Sequence, residues 1–473
     1  MYNNTITQDK TISSDKVVYG PETTKAMEYL HLCDMTIERY PQMLVALGKV
    51  KKACAMTNKQ IQALDKYKAD AIISACDELI AGQLTQQFPL SAIGGFGPVL
   101  NMVANEVLAR RANYLLEKSS IKGDICPNTH VNMGQSSNDV IKTAQILAVY
   151  DEINYLLDAT TYLEEPLLQK SIEFNDIVKM GRISYQDAVP ITMGQEFSGY
   201  HSQIKRNRLR LAEERNHWQH VPLGATILGT GLGCKPGYFN EVCDNLSLVC
   251  GRTIKQSDNL FDAMQTADAY VMLHAHIQSL AICAAKIALD IRVMASGPRA
   301  GLREITLKAL QPGSSIMPGK VNPVIPHMVT QISQKISANH AGIATAVCAG
   351  ELELSSTSSV IIKSIFDSVE LLGKGIKILG EKVVIDIKAN KDHCREMAEK
   401  SLGLSTVINT LFGYETSLQV TKLATENNLT CKQAAIQAGL LSNDEADEIF
   451  NLDMLTNIEL SEKVFSKFIS SQR

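Results

Sequence analysis

The densest set of reactive side chains in the sequence lies between residues 311 and 323, in the segment QPGSSIMPGKVNP. Ser314, Ser315, Lys320 and Asn322 place two hydroxyls, a cation and an amide in this short stretch. Glycine and proline interrupt it between two long helical patterns, which predicts a loop. Loops held by rigid helices often carry binding and catalytic groups, although many loops of this composition only connect elements.

The segment GSSIMPGKVNP resembles the signature loop of the aspartase/fumarase superfamily, in which a serine abstracts a carbon-bound proton. Further segments are similar to the same superfamily: VNMGQSSND at 131–139, GRISYQDAVPITMGQEF at 181–197 and GATILGTGL at 224–232. DAMQTADAY at 262–270, SGPRAGLREITLKALQPGSS, VNPVIP and SLGLSTVINTLFGYE match the aspartate ammonia-lyase branch more closely than the fumarase branch. Together these segments cover nearly the whole chain.

The resemblance implies an elimination that breaks a C–N or C–O bond β to a carboxylate. A poorly acidic carbon-bound proton is removed first, and the resulting carbanion is tolerable only as a dianionic enediolate on that carboxylate. Preformed hydrogen-bond donors and cations must meet the developing charge. Hydroxyls, backbone N–H groups and one lysine supply them, so no metal and no cofactor is expected.

The resemblance also implies roles for the residues of the 311–323 loop. Ser314 would be the catalytic base, and because serine is a very weak base in water, its anion requires strong local stabilisation. Lys320 and Asn322 would hold the carboxylate on the carbon that bears the leaving group. Ser315 would help to bind the carboxylate that becomes the enediolate.

The 131–139 segment would complete the binding of the substrate. By the resemblance, Ser136 and Ser137 would bind the enediolate-forming carboxylate together with the loop serine, and Asn138 would contact the leaving amine. From the residues alone, Ser137 and Asn138 could instead only cap the helix that follows.

The sequence departs from the family pattern at positions that bear on the substrate. Pro98 stands where the family has a carboxylate-binding threonine, and proline has neither a hydroxyl nor an N–H. Ile183 and Ser184 replace a threonine and a following histidine or glutamine. Seven residues after the loop lysine, His327 replaces the glutamate that pairs with that histidine. The pair Ser184 and His327 could be an exchanged relay, a repurposed pocket or, for His327, an ordinary helix histidine. Gly134 replaces a further serine.

These observations predict a carbon–nitrogen lyase that removes ammonia or an amine from L-aspartate or a substituted aspartate by anti elimination. The product would be fumarate or a related alkene diacid. Two alternatives are a fumarate hydratase and a catalytically silent homologue, the latter because the leaving-group pocket is altered. A serine hydrolase that uses Ser314 with Lys320 is a third, but the sequence lacks a nucleophile-elbow pattern.

Two histidine pairs are close enough in sequence to be considered as metal ligands. His274 and His276 are two residues apart on a predicted helix and should therefore face different directions. His217 and His220 are three residues apart and could share a ligand, but no third ligand is suggestively placed. Neither pair predicts a metal site.

Composition limits the class of protein. The chain has 473 residues and a net charge of −4, with no basic run, which argues against a nucleic-acid or anionic-membrane partner. Its eleven cysteines are scattered with no CxxC pair, which indicates reduced thiols in a cytoplasmic protein. The polar start of the chain lacks the apolar core of a signal peptide, and no apolar run reaches the ~18 residues of a membrane span.

Apolar periodicity predicts a mostly α fold in which a central bundle of long helices dominates. A helical pattern from about Asp262 to Met294 is expected to be the longest. Others begin at Asn138, after Pro323 and near Ser356, and the first 20 residues are expected to be loosely ordered. We predict an N-terminal mostly helical domain (1–137), a central bundle (138–394) and a small C-terminal helical domain (395–473). The resemblance further implies a homotetramer in which three subunits contribute loops to each active site.

Overall fold

The computed structural model describes residues 18–311, 313–355 and 359–471. Most of these residues are helical, which confirms the predicted fold class. The expectation of a loosely ordered start falls on residues 1–17, and the helix start near Ser356 falls on 356–358. Both lie outside the described residues, as does Pro312 of the signature loop. Within the described ranges, no helix has the length and apolarity needed to cross a membrane.

The helices of six or more residues are bounded as follows. In the first half of the chain they are α1 (Pro21–Leu30), α2 (Pro41–Gln60), α3 (Lys66–Ile80), α4 (Pro98–Lys118), α5 (Ser137–Glu173), α6 (Met193–Glu214) and α7 (Tyr238–Cys250). They continue with α8 (Leu260–Gln265), α9 (Asp268–Met294), α10 (Val324–Val347) and α11 (Ser359–Lys382). The C-terminal helices are α12 (Lys391–Lys400), α13 (Ser405–Phe412), α14 (Tyr414–Asn427), α15 (Cys431–Gln437), α16 (Asn443–Ile449) and α17 (Ile458–Ser471).

Local sequence signals explain several of these helix ends. Helices α1, α2 and α4 each begin at a proline, whose fixed φ and missing N–H suit the first helical position. Helix α7 is followed by Gly251, which adopts a left-handed conformation with φ 65°. Capping boxes begin α15 at Thr430 and α16 at Ser442.

The predicted long helix from Asp262 to Met294 is wrong in one respect, because the chain breaks near Thr266. This residue is extended, with φ −112° and ψ 161°, and it separates α8 from α9. Its hydroxyl donates to the Asp268 carboxylate at 2.6 Å and accepts from the Asp268 N–H at 3.2 Å, which stabilises the new helix start. The longest described helix is instead α5, with 37 residues.

Three two-stranded sheets accompany the helices in the described residues. The largest is an antiparallel hairpin of β1 (Val178–Ile183) and β2 (Gln186–Thr192). The short strands β3 (His220–Val221) and β4 (Lys255–Gln256) pair in parallel, and β5 (Ile305–Thr306) pairs with β6 (Lys388–Ala389) antiparallel. The hairpin was not expected from the sparse β alternation in the sequence.

The chain divides into two compact units, each made of separate segments. The first contains the described residues among 18–157, 209–279 and 334–371, and here α2 packs against α3 and α7. The second contains the described residues among 158–208, 280–333 and 372–471, and here strand β1 packs against α12 over a buried C-terminal core. The three-part division by chain order stays a prediction.

Candidate active site

Two backbone N–H groups point at the side-chain oxygen of Ser314. The Oγ atom accepts hydrogen bonds from the backbone of Ile316 at 3.3 Å and of Met317 at 3.0 Å. Backbone donors held in this way stabilise negative charge on the oxygen that they face. The loop therefore favours negative charge on Ser314 Oγ.

Close backbone packing shapes the loop around this serine. The Asn322 amide donates to the Gly313 carbonyl at 2.7 Å, and the Lys320 N–H donates to the Met317 carbonyl at 3.2 Å. A Cβ added to Gly313 would collide with the Lys320 carbonyl and lie 2.6 Å from the Cα of Val321. Glycine is needed here because the two arms of the loop approach so closely.

The other predicted groups lie in this loop or in the first turn of the helix that follows it. Lys320 and Asn322 line a cavity of about 610 Å³. Ser315 and Lys320 are exposed, and the Lys320 ammonium forms no ion pair with a described residue. His327 is exposed in the first turn of α10, where its Nε2 lies 3.4 Å from the Gln331 amide nitrogen.

Ser184 occupies the tip of the β1–β2 hairpin. The two-residue turn consists of Ser184 and Tyr185, both left-handed, with φ values of 52° and 62°. Glycine or asparagine is the common choice for such a turn, so the Ser-Tyr pair is a strained one. The flanking Ile183 and Tyr185 side chains are 74% and 70% exposed. No hydrogen bond joins Ser184 to His327 among the described residues, and their pairing stays a prediction.

A buried ionic cluster anchors the base of this hairpin. The Glu304 carboxylate, only 4% exposed, lies 2.7 Å from the Lys179 ammonium and also pairs with Arg182. Lys179 contacts a second carboxylate, that of Glu196, at 2.6 Å. Burial lowers the pKa of Lys179, but the Glu196 and Glu304 carboxylates outweigh it and raise the pKa above its ordinary value.

Ser136 caps the start of α5, and the reading of Asn138 as the cap was wrong. The Ser136 Oγ accepts from the Asn138 N–H at 3.2 Å, while the Asp139 carboxylate accepts from the Ser136 N–H at 3.0 Å. The side chain of Asn138 instead donates to the Ile227 carbonyl at 2.9 Å. Asn138 lies inside the first helical turn, because the helix begins one residue earlier than expected.

Asp139 ties this helix start to the GATILGTGL segment. Its second oxygen accepts backbone N–H groups from Gly224 at 3.1 Å and Thr226 at 3.0 Å. Burial raises the pKa of Asp139 to about 7, against the lowering effect of the three backbone N–H bonds. The carboxylate therefore holds two segments of the first unit together.

A buried lysine under the 131–139 segment was missed by the sequence analysis. The Lys51 ammonium donates to the side-chain oxygens of Asn132 at 3.1 Å and Gln135 at 2.8 Å. Asn101 in turn donates to Ser137 Oγ at 2.9 Å. Lys51 could not be identified from the sequence, because VKKACAM has the pattern of an ordinary helix and does not reveal which lysine is buried.

His274 and His276 have different surroundings, as their spacing predicted. His274 is buried and contacts His340 and Ser368, whereas His276 lies 3.7 Å from the Glu214 carboxylate. Among the described residues, no group of three or more His, Cys, Asp or Glu side chains has a geometry that could hold a metal ion.

Comparison with known proteins decides the family. The sequence model described as "Lyase" matches residues 10–338, and the one described as "Fumarase C C-terminus" matches residues 404–457. An aspartate ammonia-lyase of Bacillus sp is 39% identical over 445 residues, which cover 94% of each chain.

The chain belongs to the lyase family.

Solved structures of this lyase family agree in fold. A class II fumarase from Schistosoma mansoni has a TM-score of 0.89 at 32% identity, covering 93% of this chain and 96% of its own. A Brucella melitensis protein described as fumarate lyase:delta crystallin, bound to cobalt, has a TM-score of 0.89 at 36% identity with the same coverage. The predicted membership of the aspartase/fumarase superfamily and the predicted carbon–nitrogen lyase class are confirmed.

Within this lyase, the structure gives local reasons for two departures from the family pattern. Pro98 is the first residue of α4, where a missing N–H costs no helical hydrogen bond. Gly134 has φ 72°, and a Cβ there would lie 3.1 Å from the ring of Tyr238. A serine at position 134 would therefore require a strained backbone and a shifted tyrosine ring.

The predicted site residues form two groups in this lyase chain. Ser136, Ser137 and Asn138 lie together at the start of α5 in the first unit. The second unit contains the other residues, namely Ser184, Ser314, Ser315, Lys320, Asn322 and His327. Their assignment to catalysis and substrate binding stays a prediction.

Proposed function

We propose that this lyase removes ammonia or an amine from L-aspartate or a substituted aspartate by anti elimination, giving fumarate or a related alkene diacid. The observation that carries the proposal is the pair of backbone N–H groups directed at Ser314 Oγ. Aspartate ammonia-lyases at 36–39% identity support the choice of an amino-acid diacid.

Ser314 acts as the base in this scheme. Its alkoxide takes the proton from Cβ, and the electron pair of that C–H bond forms the enediolate on the neighbouring carboxylate. The enediolate then collapses to the alkene as the C–N bond breaks, and nitrogen departs with the bonding pair. The proton on Ser314 is later released to solvent, which restores the base.

Hydrogen-bond donors around the base bind the two substrate carboxylates. The exposed Lys320 ammonium and the remaining N–H of the Asn322 amide hold the carboxylate on the carbon that bears nitrogen. Ser136, Ser137 and Ser315 bind the carboxylate that becomes the enediolate, where charge increases in the transition state.

The leaving-group side of the site is altered at the hairpin tip. Asn138 contacts the amine, and Ser184 with His327 forms an exchanged relay. Ile183 offers an apolar surface and no hydrogen bond, which favours an amine that carries a carbon substituent. A substituted aspartate therefore belongs to the proposal beside L-aspartate itself.

We also propose a homotetramer in the cytoplasm. Ile183, Tyr185 and Ile316 are 74%, 70% and 83% exposed beside the proposed site residues, which supports their burial against other subunits. Each active site would combine segments from three subunits, and isolated subunits would be inactive. All eleven cysteines are free, which supports a reducing compartment.

Ultraviolet absorbance of the product tests the proposed reaction. Purified protein is mixed with L-aspartate, L-malate or a panel of N-substituted aspartates, and alkene absorbance is followed. The proposal expects absorbance from L-aspartate or a substituted aspartate. Absorbance from L-malate alone would favour hydratase activity, which the similarity to a fumarase structure makes the second candidate. No signal from any substrate with folded protein would overturn the proposal.

A further inference from the structure

A chain of side-chain amides runs from the buried Lys51 to Ser137. The Lys51 side chain is fully buried, and its ammonium carries only hydrogen-bond donors. Its two amide partners, Asn132 and Gln135, must therefore turn their oxygens toward it, at 3.1 Å and 2.8 Å. The ammonium sets the direction of every hydrogen bond that follows.

Further bonds hold both amides in that orientation. The nitrogen of Gln135 donates to the carbonyls of Val131 at 2.9 Å and Met133 at 3.3 Å. The nitrogen of Asn132 donates to the Gln135 carbonyl at 3.2 Å. Because each of these partners is a carbonyl, which only accepts, neither amide can reverse without breaking bonds on both sides.

Asn101 transmits the orientation to Ser137. Its amide nitrogen lies 3.1 Å from Asn132 Oδ1 and 2.9 Å from Ser137 Oγ. Since Asn132 Oδ1 only accepts, Asn101 must present its NH₂ group, and Ser137 must accept from it. The Asn101 oxygen is left buried without a partner among the described residues. An unpartnered buried oxygen is unfavourable, which indicates that the surrounding bonds impose this orientation.

The consequence concerns the single proton of the Ser137 hydroxyl. No described residue accepts a hydrogen bond from Ser137 Oγ. Asn101 cannot accept one either, because it presents its NH₂ group to that oxygen. The proton is therefore available to an external acceptor. Burial lowers the pKa of Lys51 to about 8, so at pH 7 the ammonium is still charged and keeps the chain in one direction.

We propose that Asn101 is a positioning residue that commits the Ser137 hydroxyl to donate to the substrate carboxylate, in a direction set by Lys51. This inference rests on the proposed function, in which Ser137 binds a carboxylate. A role of Asn101 in packing alone would weaken binding equally whether or not the hydroxyl is present.

A double-mutant cycle separates these two roles. The affinity of the intact protein for fumarate is measured by calorimetry for the wild type, Asn101→Ala, Ser137→Ala and the double variant. Each single change is expected to weaken binding about tenfold, the size of one hydrogen bond to a charged group. The double variant is expected to bind about tenfold more weakly than wild type, not about a hundredfold, because Asn101 acts through Ser137.

Asn58→Ala is the matched control, since the Asn58 amide donates to the Met133 carbonyl at 2.9 Å in the same segment but does not contact Ser137. Its effect should be the same with and without the Ser137 hydroxyl. If Asn101→Ala does not fold, Asn132→Ala is the alternative. It removes the side chain that links Lys51 to Asn101, and it is expected to show the same coupling to Ser137.

The outcomes distinguish failure of the inference from failure of the proposed function. Additive losses for Asn101 and Ser137, in a wild type that binds fumarate and forms alkene, would overturn only the positioning role. A folded wild type that neither binds fumarate nor acts on any aspartate would overturn the proposed function and the inference with it.

Discussion

The side-chain oxygen of Ser314 lies 3.0 Å from the backbone nitrogen of Met317, which donates a hydrogen bond to it. A second donor, the Ile316 N–H, approaches the same oxygen at 3.3 Å. These two donors lower the free-energy cost of forming the serine anion. In the proposed mechanism the loop backbone, rather than a histidine, thus makes the serine alkoxide accessible.

The shape of this loop should be sensitive to one added methyl group. Gly313→Ala would place a Cβ against the Lys320 carbonyl and push the two arms apart. We expect kcat to fall about 100-fold, because small displacements of catalytic groups have effects of that size. Gly199→Ala is the control, as that position has open space around it. Equal activity of the two variants in the absorbance assay would contradict the assigned loop geometry.

Lys320 should contribute mainly to substrate affinity. Lys320→Ala removes the ammonium that holds one carboxylate, so KM for the diacid should rise about tenfold or more and kcat/KM should fall further. Steady-state kinetics provides the measurement. Lys467→Ala, which breaks an exposed ion pair with Glu448, should leave both constants unchanged. An unaltered KM in Lys320→Ala would remove this lysine from the carboxylate clamp.

The ionic cluster under the hairpin should dominate the stability of that region. Glu304→Gln removes the buried carboxylate that pairs with both Lys179 and Arg182. We expect a loss of about 3–5 kcal/mol in the free energy of unfolding, measured by urea denaturation. Glu396→Gln, at an exposed pair with Lys400, should cost much less. Comparable losses in both variants would show that burial of the cluster is unimportant.

Part of the architecture followed from sequence alone. Glycine and proline marked the signature loop, and apolar periodicity marked the long helices, because both signals are local. The Ser184–Tyr185 turn could not be predicted, since neither residue is a typical choice for a left-handed conformation. The break at Thr266 was also missed, because a hydroxyl bonded to Asp268 interrupts a pattern whose apolar spacing continues across it.

The candidate site was predictable only as a set of residue types. The resemblance to the superfamily identified Ser314 and Lys320 as candidates. The hydrogen-bond donors to Ser314 are the backbone N–H groups of Ile316 and Met317, which residue types do not reveal. The role of Lys51 depends on burial, which the neighbouring Lys52 in the same sequence pattern does not share to the same degree. The pairing of Ser184 with His327 stays a prediction.

Stability should respond to pH through Glu152. Burial, together with Asp151 and Glu370, raises the pKa of Glu152 to about 7 from its ordinary value of 4.5. Between pH 4.5 and about pH 7, Glu152 is therefore protonated in the folded state and ionised in the unfolded state. The stability from this group is present below pH 4.5 and is lost as the pH rises through about 7.

Glu152→Gln removes this dependence. The variant should be more stable than wild type at pH 8, by about 1–3 kcal/mol, and the gain should be absent near pH 4.5. Denaturation at several pH values measures the difference, with exposed Glu117→Gln as the control. A gain of the same size at both pH values would contradict a buried, protonated carboxyl.

The central claim is that Ser314 removes the proton from carbon. Its most direct test is turnover of Ser314→Ala on the substrate identified in the absorbance assay, with fumarate affinity and Tm measured on the same preparation. We predict that kcat falls about 100- to 10,000-fold, the range for loss of a general base, while affinity and Tm stay close to wild type. A folded variant that keeps turnover within about tenfold of wild type would contradict the account.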